Sequence, residues 1–243
     1  TEIYTLSLHD ALPIFMNFGI AVINNGRPRV FKLWCASIDR LRSQFGYFPV
    51  ACVSGAEDEA ICDDNIIIHI TRPNKPVSSK WNFAFDALRD IKVDYVVICG
   101  SDDIISNDLM SNIIANINKG YDLIGINQIY FYGTYGSYKG KLYNLRRPSM
   151  LGVCKTISKR VLDEIDWKVC PQPKNFALDG LIHKTIRPYV HSMAFAEGAV
   201  CDIKSLESMN KISFWANKIK ETVPSNLFTD YLSEQELKIL KTL

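Results

Sequence analysis

The amino-acid sequence predicts an α/β fold in which helices cover both faces of a mostly parallel central sheet. The first observation is that apolar, strand-like runs alternate with amphipathic helical segments through the first half of the 243-residue chain. The second is that the run Tyr95–Cys99 is apolar throughout, as expected for a strand buried on both faces. The third is that the runs end at turns rich in glycine, asparagine and serine, from which new segments begin.

Composition sets the limits of this fold. Hydrophobic residues make up 47% of the chain, enough for the core of one large α/β domain with appendages. A net charge of +2 without a basic stripe argues against nucleic acid as a partner. The seven cysteines are scattered without metal-binding spacing, which favours reduced thiols and a cytoplasmic location. No apolar run approaches the roughly 20 residues that span a bilayer, although peripheral membrane association stays open.

The first residues differ from the rest of the chain. Residues 1–14 resemble a peptide that arises when sequencing-adapter DNA is translated, and they lack the basic start and long apolar core of a signal peptide. We therefore expect residues 1–15 to be a non-native leader and the native chain to begin near Met16.

The first half of the chain gives clear element signals. Strands are expected over residues 18–23, 49–54 and 66–70, and a helix from Pro28 to Phe45 that Gly46 ends. A second helix is expected after Ser78 or Ser79, followed by the strand that ends at Cys99. Ser106 is the expected N-cap of a third helix, which Gly120 closes.

The second half is more varied. Strands are expected over residues 121–127, 150–156 and 200–203, and helices after Ser158, over 205–220 and over 233–242. Ser233 and Glu236 have the spacing of a capping box. The aromatic and glycine-rich residues 129–138 predict an antiparallel ribbon, which either presents hydroxyl-bearing rings to a sugar or simply covers a sheet edge.

Two adjacent carboxylates, Asp102 and Asp103, follow the buried strand after Gly100 and Ser101. They would stand at the carboxyl edge of the sheet, where open α/β folds bind their ligands. Hard oxygen ligands at this edge suit Mg²⁺ or Mn²⁺ bridging to phosphates. The alternative is that both residues serve only as turn and helix-capping groups.

Four short motifs follow one another along the chain. They are Lys80-Trp81-Asn82, Gly100-Ser101-Asp102-Asp103, the stretch from Met150 to Arg160, and Leu178-Asp179-Gly180. In this order they resemble the motifs of family 2 glycosyltransferases, which have the GT-A fold, and the resemblance covers roughly residues 17 to 205. The resemblance implies a three-layer α/β/α GT-A domain over residues 16–205 with a Rossmann-like nucleotide-binding half and an acceptor-side ribbon. Residues 206–243 would form a helical extension packed on it.

The motifs depart from the family pattern at three places. Gly100 stands where the family carries the first aspartate of its metal motif, so that Ser101, Asp102 and Asp103 remain. Leu178 replaces the glutamate that usually precedes the catalytic aspartate. Lys80 replaces an arginine, which keeps the charge but loses bidentate geometry.

The resemblance implies a nucleotide-diphosphate sugar as donor and Mn²⁺ or Mg²⁺ as cofactor. Asp102, aided by Asp103, would hold the cation that neutralises the departing diphosphate. Lys80, Asn82 and Ser101 would lie near the same diphosphate. Asp179 would accept the proton of the acceptor hydroxyl, which implies inversion at the anomeric carbon.

Other candidates lie near the expected site. Asn24, Asn25 and Glu57 follow the first two strands and would contact the base and ribose. His191 is a candidate third metal ligand, because some GT-A enzymes use a late histidine. His183 is a candidate for the same role, and Asp202 also ends a strand near the expected site.

Three functions remain open on the sequence. A glycosyltransferase would act on a glycan, a lipid-linked acceptor or another hydroxyl acceptor, as in polysaccharide biosynthesis. A sugar-phosphate nucleotidyltransferase has a related sheet, but a glycine-rich phosphate loop near the first strand is missing from this sequence. A noncatalytic sugar- or nucleotide-binding protein is favoured by the glycine at position 100.

Overall fold

A computed structural model describes residues 17–63, 67–208 and 210–243. The expectation of a non-native leader over residues 1–15 lies outside the described residues. The division into a domain over 16–205 and an extension over 206–243 stays a prediction.

The described residues form alternating strands and helices in the first half and shorter elements in the second. The strands are β1 (Phe18–Ile23), β2 (Val50–Ser54), β3 (Ile68–Thr71), β4 (Tyr95–Gly100), β5 (Asp103–Ile105), β6 (Leu123–Gly125), β7 (Gln128–Gly133), β8 (Leu142–Arg146), β9 (Thr156–Ser158), β10 (Met193–Phe195), β11 (Val200–Lys204) and β12 (Thr222–Val223). The α-helices are α1 (Pro28–Phe45), α2 (Glu59–Asp63), α3 (Val77–Asp90), α4 (Asn107–Asn118), α5 (Lys159–Glu164), α6 (Leu178–Ile186), α7 (Ile212–Ile219), α8 (Asn226–Thr229) and α9 (Glu234–Lys241).

The central sheet has the order β10-β6-β9-β4-β1-β2-β3 within the described residues. Its neighbours are parallel except at β9, which runs antiparallel to both β4 and β6. Both faces are buried: Ile20 and Val22 belong to one hydrophobic core, whereas Ala21 belongs to the other. The predicted α/β fold with a mostly parallel, doubly covered sheet is therefore confirmed.

A second sheet has the order β12-β8-β7-β11-β5. The predicted aromatic ribbon is present, because β7 pairs antiparallel with β8, although β8 lies beyond the predicted stretch. Strand β5 is not among the predicted elements; it pairs antiparallel with β11 and places Asp103 opposite Asp202. Asp103 is thus a strand residue and does not cap the following helix.

Several helix-start signals are confirmed. The Ser106 hydroxyl accepts from the Leu109 N–H and caps α4, and Ser158 caps α5 in the same way. Ser233 and Glu236 form the capping box of α9. The prediction that Ser78 or Ser79 caps α3 is wrong, because Pro76 takes the N-cap position. The Ser78 hydroxyl instead accepts from the backbone N–H of Lys174.

Two predicted elements are shorter than expected. The strand over 150–156 begins only at Thr156, because Cys154 has a φ of 56° and interrupts extended backbone. The helix over 205–220 begins only at Ile212, because Ser205 and Ser208 form a turn in which the Ser208 hydroxyl accepts from the Ser205 N–H.

The C-terminal residues pack on the domain through helix and strand. Helix α9 contacts α1, and β12 adds to the edge of the second sheet beside β8. Among the described residues, every helix is too short or too polar to cross a bilayer.

Candidate active site

Two cavities meet at the carboxyl ends of β1 and β4. Cavity A, of about 500 Å³, lies beside the end of β1 and the start of α3. Cavity B, of about 570 Å³, lies between the start of α6 and the second sheet. The residues that line both cavities are Trp81, Gly100, Asp102, Asp202 and Asn210. The boundary between the cavities is therefore acidic.

Three carboxylates converge at this boundary. One oxygen from each of Asp102, Asp103 and Asp202 lies within 4.8 Å of the others. Asp102 follows β4 directly, and the antiparallel register of β5 and β11 brings Asp103 and Asp202 together. The Asp103 carboxylate is fixed by a hydrogen bond of 2.7 Å from the Gly100 N–H.

Two basic side chains pair with this cluster. Arg27, at the start of α1, contacts Asp102 Oδ2 at 2.5 Å and donates to the Ser101 hydroxyl at 2.8 Å. Lys204 is buried and contacts Asp202 Oδ2 at 2.5 Å. Because Asp202 and Lys204 are two residues apart on β11, they share one face of the strand.

The carboxylates still exceed the cations that surround them. Burial, with the neighbouring Asp202 and Asp102, raises the pKa of Asp103 well above its usual range. Burial and the charge of Asp102 raise the pKa of Asp202 to about 7, despite Lys204. Burial also opposes ionisation of Asp102, but Arg27 and Lys204 outweigh it and hold the pKa of Asp102 below its usual value. The cluster is therefore short of positive charge.

This donor set fits a divalent cation. Carboxylate oxygens are the ligands that Mg²⁺ and Mn²⁺ prefer. In addition, Asp202 Oδ1 is buried and has no hydrogen-bond partner among the described residues. A free, buried acceptor beside two further carboxylates is costly unless a donor or a cation satisfies it.

Cavity A is organised around Asn24. Its buried amide donates to Asp58 Oδ2 and accepts from the Ser101 hydroxyl, both at 2.8 Å. The ammonium of Lys80 donates to the Asn24 carbonyl at 2.5 Å, and burial lowers the pKa of Lys80. The exposed Asn25 lines the open side of the same cavity.

Two other predicted residues lie apart from the cavity lining. The Asn82 amide is held by Cys170, to which it donates at 2.9 Å and from which it accepts at 3.0 Å. Asn82 therefore ties α3 to a loop. Glu57 is exposed beyond β2, and its carboxylate lies against Gly55. The structure thus brings Asn24, Asn25, Lys80, Ser101 and Asp102 to one cavity, but not Asn82 or Glu57.

Asp179 lies in cavity B near the start of α6, as its sequence position predicts. The carboxylate lies against Gly152, and its backbone carbonyl accepts from the Lys155 ammonium at 3.2 Å. His183, one turn along α6, lines the same cavity. Burial and the charge of Lys155 lower the pKa of His183, which favours the neutral imidazole.

The structure does not bring His191 to the carboxylate cluster, and Asp202 takes the third place instead. His191 precedes β10, at the amino end of a strand parallel to β6. Its backbone N–H donates to Asp122 Oδ2 at 2.8 Å. Because Asp102 follows the carboxyl end of β4, the two residues lie at opposite edges of the sheet.

Two basic residues of the site and one acidic residue are not among the predicted site residues. Arg27 follows the turn after β1, and this turn lies at the carboxyl edge of the sheet, where ligands are expected. Lys204 alternates with Asp202 along a strand, a spacing that places both on one face. Asp58 follows β2 and carries a buried oxygen, Oδ1, without a hydrogen-bond partner among the described residues. The hydrogen bond from Asn24 to Asp58 joins residues 34 positions apart and has no local signal in the sequence.

Comparison with known proteins supports the fold. The structure of residues 1–349 of S. aureus TarS, a GT-A glycosyltransferase, matches with a TM-score of 0.53 and 16% identity, over 77% of this chain and 60% of that chain. A longer TarS structure matches with a TM-score of 0.55 and 15% identity, over 79% of this chain and 37% of that one. The chain therefore spans less than two thirds of these relatives.

A nucleotidyltransferase has a similar fold. The inositol-1-phosphate CTP transferase from T. maritima matches with a TM-score of 0.51 and 12% identity, over 86% of this chain and 98% of that one. No family model matches the chain, and no curated protein matches it significantly. The chain thus has a fold shared by GT-A glycosyltransferases and nucleotidyltransferases.

Proposed function

We propose that this protein is a metal-dependent, inverting glycosyltransferase that uses a nucleotide-diphosphate sugar. One observation carries the proposal: the acidic cluster lies between two cavities, and each has the lining that one substrate requires. Cavity A offers Lys80 and Arg27 to a diphosphate. Cavity B offers the carboxylate of Asp179 to a hydroxyl. The similarity to TarS supports this choice at the level of the fold.

The donor side would neutralise the leaving group. Asp102, Asp103 and Asp202 would hold Mg²⁺ or Mn²⁺, which supplies positive charge to the departing diphosphate. Lys80 is already held at the cavity wall by the Asn24 carbonyl, so that its charge needs no rearrangement. Arg27, which bridges Ser101 and Asp102, places a second cation at the same end of the cavity.

The acceptor side would activate a hydroxyl. Asp179 accepts the hydroxyl proton while the acceptor oxygen forms its bond to the anomeric carbon. The bond between that carbon and the diphosphate oxygen breaks, and the nucleoside diphosphate leaves with the electron pair. A single displacement of this kind inverts the anomeric carbon.

The site leaves a second candidate, a sugar-phosphate nucleotidyltransferase. The similarity to the inositol-1-phosphate CTP transferase and the acidic cluster favour it. Such an enzyme would release pyrophosphate from a nucleoside triphosphate and would not need Asp179 as a base. The two reactions therefore differ in their products and in their dependence on cavity B.

The test measures nucleoside diphosphate release across a panel of nucleotide sugars, with Mn²⁺ or with chelator. We expect chelation and Asp102→Asn each to lower turnover at least about a hundredfold, as for loss of a strong electrostatic contribution. Asp179→Asn should lower transfer while donor binding persists. Asp108→Asn, an exposed aspartate in the first turn of α4, is the matched control.

Four results would contradict the proposal. Full activity in chelator would exclude a catalytic role for the metal. Full activity of Asp179→Asn would exclude Asp179 as the base. Pyrophosphate release from nucleoside triphosphates would establish the second candidate. Binding of nucleotide sugars without turnover on any acceptor would favour a noncatalytic protein.

The proposal includes the cellular compartment and the class of acceptor. All seven cysteines are buried and unpaired, which supports a reducing compartment such as the cytoplasm. The acceptor would be a glycan, a lipid-linked molecule or another hydroxyl compound.

A further inference from the structure

Cavity B contains a cation whose side chain has no partner among the described residues. Arg147 follows β8 and alternates with Leu145, so both line the cavity, whereas the intervening Arg146 is exposed on the other side. The backbone N–H of Arg147 donates to the Asn127 carbonyl at 2.8 Å, which fixes the chain at this point. Within the described residues, the Arg147 guanidinium forms neither a hydrogen bond nor an ion pair.

A second cation of cavity B has unused donors. Lys155 is 3% exposed, and among the described residues its ammonium donates one hydrogen bond, to the Asp179 carbonyl. A lysine ammonium carries three donors, so two remain available. Four carboxylates line cavity B, and two of them, Asp102 and Asp202, pair with Arg27 and Lys204. Among the described residues, none of the four forms an ion pair with Arg147 or Lys155.

Part of the wall of cavity B is aromatic. The rings of Phe131 and Trp215 stack with centroids 4.3 Å apart, and both line cavity B. Trp215 Nε1 is buried and has no hydrogen-bond partner among the described residues. A pocket that combines apolar rings with a few polar groups suits a ligand with apolar faces and hydroxyls, such as a sugar ring.

We propose that the acceptor is an anionic saccharide or polyol whose oxyanion binds the Arg147 guanidinium while its hydroxyl reaches Asp179. The proposal rests on the proposed function and names the substrate class of its acceptor side. Arginine suits this role because its planar fork binds carboxylates and phosphates through two parallel hydrogen bonds. Phosphate and carboxylate share this chemistry, and the experiment separates them.

The test is a binding titration that does not depend on turnover. The full-length protein, saturated with nucleoside diphosphate and Mn²⁺, is titrated with glucose 6-phosphate, glucuronate and glucose, and binding is followed by ligand-observed NMR. We expect at least one anionic sugar to bind about tenfold or more tightly than glucose, as one charge-assisted pair predicts. The preferred anion identifies phosphate or carboxylate as the group recognised.

Two variants test whether Arg147 causes the preference for anionic sugars. Arg147→Gln should remove the preference for anionic sugars and leave glucose binding unchanged. Arg146→Gln, the neighbouring exposed arginine outside cavity B, should retain it. Equal binding of all three sugars to the wild type would overturn the proposal. The same holds if Arg147→Gln weakens glucose as much as the anions, or weakens nucleoside diphosphate binding, which would assign Arg147 to the donor.

The outcome is separable from the proposed function. If the protein turns over nucleotide sugars but does not distinguish anionic from neutral sugars, the acceptor class is wrong and the glycosyltransferase proposal stands. If it distinguishes them through Arg147 but transfers no sugar to any acceptor, the anionic site stands and the proposed reaction fails.

Discussion

The carboxylate of Asp179 lies directly against Gly152, in the space that a side chain at residue 152 would occupy. Gly152 belongs to the loop between β8 and β9, and Asp179 belongs to the first turn of α6. The absence of a Cβ at residue 152 therefore sets the position of the proposed base within cavity B. A carboxylate in the first turn is also favoured by the helix dipole.

Gly152→Ala should lower sugar transfer without lowering donor affinity. The new methyl group overlaps the Asp179 carboxylate, so the side chain or the loop must move, and a misplacement of about 1 Å can cost about a hundredfold in rate. Steady-state transfer rates and a separate titration with nucleoside diphosphate would measure the two effects. Equal losses in both would contradict this role of Gly152.

A double-mutant cycle gives the control for that experiment. In the Asp179→Ala background the carboxylate is absent, so adding Gly152→Ala should cost little further activity or stability. Residues in direct contact are expected to be non-additive, whereas independent sites add. Additive losses would mean that the methyl group acts on the loop and not on Asp179.

The elements around the site were predictable where the signal is local. The runs that form β1 and β4, the proline that opens α1 and the Ser106 cap of α4 each act within a few residues. Asp102 and Asp103 were found for the same reason, because a strand, a turn and two carboxylates are adjacent in sequence. Their position at the carboxyl edge of the central sheet then follows from the fold class.

The rest of the site depends on contacts between distant residues. Asp202 joins the cluster through the pairing of β11 with β5, and β5 is too short to be recognised from its sequence. The prediction of His191 as a metal ligand is wrong, because the direction of β10 places His191 at the opposite edge of the sheet from Asp102. Asn82 was expected near the diphosphate, but a loop 88 residues away in sequence occupies its amide.

The acidic cluster predicts a cation-dependent stability. A ligand that binds only the folded state stabilises it by RT ln(1 + [L]/Kd), so the melting temperature rises with the ligand concentration. We expect Mn²⁺ to raise the melting temperature relative to chelator, and Asp202→Asn to remove most of that increase. Differential scanning fluorimetry measures both, without substrate.

The control for this measurement is Asp86→Asn, whose partly exposed carboxylate pairs with Lys168 away from the cluster. That variant should show the same Mn²⁺ increase as the wild type. If Mn²⁺ fails to shift the melting temperature at millimolar concentration, or if Asp202→Asn retains the whole shift, these carboxylates do not hold the cation.

Glu236 connects the C-terminal helix to the domain. Its fully buried carboxylate accepts from Arg40 on α1 at 2.9 Å and from the Ser233 N–H at 2.7 Å. Glu236→Gln keeps a capping-box oxygen but leaves the Arg40 charge without its anion. Breaking a buried pair in this way should lower the free energy of unfolding by about 3 kcal/mol. Urea denaturation measures the change.

Glu234→Gln provides the comparison for that loss. Glu234 is exposed in the first turn of the same helix and has no ion pair in the described part of the chain. Its substitution should change the free energy of unfolding by less than about 0.5 kcal/mol. Similar effects of both substitutions would show that the helix start, and not the pair with Arg40, carries the stability.

Asp122 predicts a stability that depends on pH. Burial opposes its ionisation, but hydrogen bonds from Arg160 and from the N–H groups of His191 and Ser192 outweigh it and lower the pKa of Asp122. A lowered pKa in the folded state stabilises the fold above the unfolded-state pKa of about 4, and this contribution disappears as the pH falls toward the folded-state value.

Asp122→Asn should therefore lower the free energy of unfolding by about 1–3 kcal/mol near pH 7, because an amide presents donors to backbone N–H groups. The difference from the wild type should narrow as the pH falls below about 4, where the unfolded-state carboxyl becomes protonated, and should vanish at the lower pH where the folded-state carboxyl does. Urea denaturation at a series of pH values measures it. Asp166→Asn, at an exposed pair with Arg89, should show little difference at any pH. A constant difference across this range would mean that Asp122 acts through packing and not through its charge.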